Sequence, residues 1–215
     1  MNEILTMPIT LAFTGASGAC YGVRLLERLL HAKRTVDLLL SDASRMVLRQ
    51  ECGLNLIGDG PTAVEQIAEF FGRTSSSPPD VTRLRHFAQN DWYAPMASGS
   101  SGTRTMVVCP CSMGSLAAMA RGLSDNLIER AADVSIKEGW PLLLVPRETP
   151  VSVIHLENML ILARAGVVIL PASPGFYHGP TTIDQLVDFL VDRILTRLGM
   201  AENLNPPHWP PQSVE

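Results

Sequence analysis

The chain has 215 residues, of which 46% are hydrophobic and 18% charged, enough apolar mass for one globular domain with a buried core. Its formal net charge is −4 and no segment clusters Lys and Arg densely, which argues against a nucleic-acid partner, because backbone binding needs cations to replace counterions. Met1 to Pro8 carries no basic start or long apolar run, and no apolar stretch reaches membrane-spanning length, so a cytoplasmic protein with no membrane partner is expected. Cys20, Cys52, Cys109 and Cys111 lie among apolar residues. Cys109-Pro-Cys111 is not a CxxC pair and no second ligand pair accompanies it, so the thiols read as reduced and mostly buried, with no metal.

Short apolar runs alternate with helical periodicity along the chain. Ile9 to Thr14 reads as a buried strand, followed by Gly15-Ala-Ser-Gly18 and a helix from Ala19 to Leu30. Thr35 to Leu40 is a second strand, and Ser41-Asp42 caps a helix running toward Glu51. Ala63 to Phe71 suits another helix. The loop Thr74 to Pro79 and the polar stretch onward to Gly102 offer no clear element. Thr105 to Cys109 is a strand that Pro110 ends, and helices follow over Ser112 to Arg121 and Asn126 to Glu138, the latter capped by Ser124 or Asp125. Pro141 to Val145 and Val167 to Leu170 are strands flanking a helix from Ser152 to Ala165. Ile183 to Leu198 forms an amphipathic helix. Continuously apolar strands alternating with helices predict a single doubly wound α/β domain, Rossmann-like or flavodoxin-like, its parallel sheet covered on both faces. The domain spans residues 1–199, and the proline-rich residues 200–215 read as an extended arm.

In such a sheet, ligands bind beyond the carboxyl ends of the strands. Gly15-Ala-Ser-Gly18 opens a helix and could bring backbone N–H groups to an anion, or could be a tight turn with no ligand; GxGxxG is absent. Ser98-Gly-Ser-Ser-Gly102 could wrap a phosphate or simply be a flexible loop. Ser112 to Ser115 is more informative, because Ser112 places a hydroxyl beside the N–H groups of a helix start. Arg147-Glu148 at the end of a buried strand is costly unless paired or used. Arg130, Lys137 and Arg193 each read alone as solvated cations, although with Tyr177 they could hold a second phosphate. His155 and Asn158 lack HExxH spacing, so His155 reads as a hydrogen-bonded structural residue. Asp125-Asn126 reads as a cap, and Trp92 and Trp209 as packing residues.

Taken together and in order, these segments resemble the flavin prenyltransferases of the UbiX type, relatives of the flavin-dependent cysteine decarboxylases. The likeness runs from Ile9 to Gly199. It rests on Thr14-Gly-Ala-Ser-Gly18, Ala97-Ser-Gly-Ser100, Cys109-Pro-Cys-Ser-Met113, Gly122-Leu-Ser-Asp-Asn-Leu-Ile128, Arg130-Ala-Ala-Asp133, Arg147-Glu-Thr-Pro150, Ile154-His-Leu156 and Phe176-Tyr177. The resemblance implies FMN as the cofactor, held by Gly15, Ala16, Ser17, Ser41, Ser112, Met113, Gly114, Ser115 and Arg147. It assigns the phosphate of dimethylallyl phosphate to Arg130, Lys137, Tyr177 and Arg193, with Trp92 and Trp209 as aromatic walls. Glu148 becomes the proton-transfer residue, assisted by Ser17 and Glu51. A homododecamer with shared sites and a UbiD-type decarboxylase as recipient of prenylated FMN follow from the same likeness. Gly114-Ser115 departs from the Lys-Thr that many members carry there.

The implied reaction transfers a dimethylallyl group to N5 and C6 of reduced FMN. A flavin-dependent cysteine decarboxylase on the same fold is one rival, though Ala19 to Leu30 lacks the early histidine base it would use. A non-catalytic FMN carrier is another, and it leaves Glu148 and the cations unexplained. Direct aromatic-acid decarboxylation has no substrate-activating site apart from the flavin.

Overall fold

The computed structural model describes residues 7–102 and 104–200. Six strands form one parallel sheet: β1 (Ile9–Phe13), β2 (Val36–Leu40), β3 (Leu84–Phe87), β4 (Thr105–Cys111), β5 (Leu142–Pro146) and β6 (Val168–Ile169). Their spatial order is β3-β2-β1-β4-β5-β6. This is the Rossmann order, and the winding reverses between β1 and β4. Seven α-helices accompany the sheet: α1 (Ala19–His31), α2 (Asp42–Val47), α3 (Pro61–Thr74), α4 (Met113–Ala120), α5 (Leu127–Glu138), α6 (Val153–Arg164) and α7 (Ile183–Arg197).

Strand periodicity divides the core in two. Ile9, Leu11 and Phe13 of β1 join Val36, Leu38 and Leu40 of β2 beneath α1, α3 and α7. Ala12, Leu39, Met106, Val108 and Leu144 face the opposite way, beneath α4, α5 and α6. Burial on both faces explains why these strands read as unbroken apolar runs. Helix α7 lies along α1, where Arg24 meets Asp188 at 3.1 Å and Arg28 meets Asp192 at 3.0 Å.

Several boundaries differ from the sequence reading. Strand β3 emerged from the stretch that offered no clear element; it is a four-residue edge strand with Leu84 and His86 buried and Arg85 exposed. Pro110 does not end β4, which continues to Cys111 through a register shift against β5. A proline lacks only the donor, and its carbonyl is used by both the N–H and the hydroxyl of Thr14. The helix toward Glu51 is α2 followed by a π-helical turn, Leu48–Cys52. The cap of α5 is Asn126, whose Oδ1 accepts from the N–H groups of Ile128 and Glu129, rather than Ser124 or Asp125. His155 is structural as expected, closing a reciprocal cap with Ser152 at the start of α6. Of the Pro-rich arm, residues 201–215, Trp209 among them, lie outside the described residues.

One buried charge cluster has no sequence signature. Asp37 of β2 is fully buried, and its carboxylate accepts from Arg85 Nε and Arg104 NH1, both at 2.7 Å. Arg104 is itself only 7% exposed, so removing Asp37 strands a buried cation. Asp37→Ala should therefore lower stability by about 3–5 kcal/mol, and the paired change Asp37→Leu with Arg104→Met should recover most of that. Urea unfolding midpoints of the two variants check this.

Candidate active site

Three strand-to-helix turns meet at the carboxyl edge, around the point where the winding reverses. The β1–α1 turn carries Gly15, Ala16, Ser17 and Gly18. A side chain at Gly15 would bring its Cβ within 2.6 Å of Ala43 Cβ, so this turn presses directly on the start of α2. Gly18 sits at φ +99°, a conformation that favours glycine, and an added Cβ would also crowd the Tyr21 ring at 3.0 Å. The β1–α1 turn is latched to the β4–α4 turn by Thr14, which is buried. Its hydroxyl donates to the Pro110 carbonyl at 2.9 Å and accepts from the Ser112 N–H at 2.7 Å. Thr14 is the site residue that motif reading missed as a site residue, since an isolated Thr at a strand end carries no distinctive pattern.

Ser41 and Ser112 cap α2 and α4 by accepting from the N–H groups of Ser44 and Ser115. Ser112 also donates its hydroxyl to Ser115 Oγ at 3.0 Å. An added Cβ at Gly114 would meet nothing within 4 Å. The first turn of α4 is therefore open to an anion that could use N–H groups the helix itself cannot satisfy. Beyond Ser41 a cleft of about 600 Å³ extends between the ends of β2 and β3 and the start of α5, lined in part by Asp42, Arg45, Gln89, Asn90 and Asn126. Its volume suits an organic ring system.

The first turn of α1 is occupied differently. The Glu51 carboxylate accepts from the backbone N–H groups of Gly18 at 2.8 Å and Ala19 at 2.9 Å. Burial alone would raise its pKa, but the Ser17 hydroxyl, these two amides and the charge of Arg147 outweigh burial and hold Glu51 below the ordinary carboxylate value. An anionic ligand thus meets a helix start already neutralised at α1 and an available one at α4. Arg147 follows β5, and its Nε donates to the Ser17 carbonyl at 3.2 Å. Glu148 comes next and is exposed at the rim.

The expected phosphate-binding residues fall into two groups. Arg130 of α5 donates to the Ala97 carbonyl and to Asp133, each at 3.0 Å. Lys137, seven residues on, pairs with Glu138, and its Nζ lies where a Cβ on Gly99 would approach to 3.0 Å. These two cations flank the Ser98–Gly102 loop, and Trp92 stands exposed in the same connection after β3. Tyr177 packs on Phe189 of α7, which precedes Arg193 by one helical turn. Helix α5 covers one sheet face and α7 the other. Within one chain, Arg130 and Lys137 thus lie on α5, apart from Tyr177 and Arg193 beside and on α7.

The cysteines are free; Cys109 and Cys111 are buried, Cys20 and Cys52 half-buried. Burial pushes the Cys52 and Cys111 thiols up to about 12, so neither is a thiolate at neutral pH. Among the described residues no group of three or more His, Cys, Asp or Glu could hold a metal, and no helix is long and apolar enough to cross a membrane.

A family model described as Flavoprotein matches residues 2–195. Flavin prenyltransferase UbiX of Pseudomonas aeruginosa is 51% identical over 198 residues, covering 92% of each chain. This chain belongs to the UbiX family of flavin prenyltransferases. Among solved structures, the dodecameric FMN-dependent UbiX-like decarboxylase of Escherichia coli O157:H7 superposes with a TM-score of 0.79, at 36% identity, over 95% of this chain and 100% of that one. A UbiX protein in complex with FMN and dimethylallyl pyrophosphate gives 0.76, also at 36% identity, over 94% and 99%. The residues present fit FMN: glycine at positions 15 and 114 keeps the turns open or close-packed, and the donor set is backbone N–H, hydroxyl and guanidinium.

Membership makes the Glu51 contact testable in this family member. Its depressed pKa means that its contribution to stability is full above the unfolded value and is lost as pH falls through the folded one. Glu51→Gln should cost about 1 kcal/mol at neutral pH, less than a buried charged hydrogen bond because the group is exposed. That gap should narrow below roughly pH 4.3, as read by urea titrations at a series of pH values.

Proposed function

We propose that this chain transfers a dimethylallyl group from dimethylallyl phosphate to N5 and C6 of reduced FMN. The observation that carries the reading is the Arg147–Glu148 step: Arg147 is tied to the Ser17 carbonyl, which sets the next carboxylate at the rim of the helix-start cradle. Gly15, Ala16, Ser17, Ser41, Ser112, Met113, Gly114, Ser115 and Arg147 would hold the flavin nucleotide. Reduced FMN supplies the nucleophilic nitrogen and the ring carbon at which the new ring closes. As the donor C–O bond breaks, Arg130, Lys137, Tyr177 and Arg193 stabilise the charge building on the departing phosphate. The N5–C1 bond replaces the donor C–O bond and releases the N5 proton. The second bond forms as the allyl double bond takes up a proton at C2 and C6 gives one up, an exchange that Glu148 would mediate, with Ser17 and Glu51 fixing the turn beside it.

We assign the complete donor site to Arg130 and Lys137 from one subunit and Tyr177 and Arg193 from another, a reading supported by α5 and α7 covering opposite sheet faces. A homododecamer supplies such contacts, and a solved relative is dodecameric. Trp92, and Trp209 outside the described residues, would wall the allyl group. We further assign residues 1–199 to the flavin domain and the remainder to an arm, place the enzyme in the cytoplasm, and name a UbiD-type decarboxylase as the recipient of prenylated FMN.

Incubation with reduced FMN and dimethylallyl phosphate should yield a flavin heavier by one C5H8 unit in mass spectra. Glu148→Gln should bind FMN normally yet slow prenylation by about 10²-fold or more; undiminished turnover removes Glu148 from this role. Lys137→Ala and Arg193→Ala should each be inactive. Mixed and allowed to exchange subunits, they should regain about a quarter of wild-type activity, the share of randomly assembled sites with both cations intact. No recovery would place all four residues in one chain's site.

A further inference from the structure

We propose that the ring of His178, stacked on Phe189, is a positioning element that sets the Tyr177 phenol; its consequence for catalysis rests on the assignment of Tyr177 to the donor phosphate. Tyr177 lies in the connection between β6 and α7, where no strand or helix ladder holds it. Two neighbouring rings pack against it. The Tyr177 ring meets Phe189 edge-on, with centroids 5.7 Å apart and planes at 80°, and meets His178 at 5.7 Å and 78°. His178 and Phe189 are themselves parallel, 5.1 Å apart with planes at 3°. The phenol therefore stands upright against a two-ring platform, an arrangement that ring quadrupoles favour.

Gly175 completes the seat. A Cβ there would lie 3.0 and 3.2 Å from Tyr177 ring carbons and 3.1 Å from Phe189 Cζ, too close for both rings to keep their places. Phe189 precedes Arg193 by one helical turn, so the Phe189 ring and the guanidinium share one stripe of α7. His178 holds this position at a cost. Both its ring nitrogens are shielded from solvent and have no hydrogen-bond partner among the described residues. Buried imidazole nitrogens are ordinarily satisfied, and departures from that rule gather where function outweighs stability. His178 is used here as an aromatic plane, its nitrogens idle.

The chain has three tyrosines, so fluorotyrosine labelling gives a simple fluorine NMR spectrum in which Tyr177→Phe identifies the Tyr177 line. His178→Ala and Gly175→Ala should move that line toward the free amino acid, while His178→Phe should leave it in place. In kinetics, the first two should raise KM for dimethylallyl phosphate by about tenfold, with His178→Phe within about twofold of wild type, as expected when a binding group is misplaced and then restored. FMN affinity should not change in any of them. An unmoved line in His178→Ala, or a His178→Phe variant as impaired as His178→Ala, overturns the seat. If Tyr177→Phe itself leaves KM unchanged, the assignment of Tyr177 to the donor phosphate fails, and the fluorine spectrum still decides whether the seat exists.

Discussion

The carboxylate of Glu51 on the amides of Gly18 and Ala19 is the contact around which the site is arranged. A helix start attracts an anion, and this one receives its anion from within the chain. The contact pins the π-helical turn to the β1–α1 loop, orients the Ser17 hydroxyl, and gives the positive charge of Arg147 a counterpart. The α4 start, where a Cβ on Gly114 would meet nothing within 4 Å, has no such internal carboxylate on its amides among the described residues. Thr14 transmits the alignment across the winding reversal, since its one hydroxyl joins both turns.

The chemistry asked of the site is consistent with this economy. No thiolate is on offer, because burial keeps the Cys52 and Cys111 thiols protonated. The groups available are a carboxylate at the rim, hydroxyls, amides and cations, which suit alkyl transfer from a phosphate ester: they disperse charge and move one proton. The family relationship supports the same reading.

The division of the cations between α5 and α7 sets a constraint of its own. A sheet stands between the two helices, so the proposed donor site ties the chemistry to the quaternary structure. The outer face of α6 agrees with a chain built for assembly: Val153, Ile154, Leu156 and Leu160 are all about half exposed or more, an apolar surface that an isolated soluble chain would pay to keep in water.

Much of this was legible in the residues alone. Runs such as Ile9 to Thr14 and Pro141 to Val145 declared buried parallel strands, because burial on both faces removes polar alternation, and Ser41 and Ser112 marked helix starts through hydroxyls that can cap. The order of short motifs identified the family, and with it the flavin and the donor. Edge strand β3 stayed hidden because four residues with an exposed Arg85 carry too little apolar pattern. The Asp37–Arg85–Arg104 cluster, the Glu51 contact across 33 positions, and the placing of Arg130 and Lys137 on one sheet face and Arg193 on the other depended on chain crossings. Periodicity reports which face of an element is buried, whereas a long-range pair exists only once the sheet order has brought distant segments together.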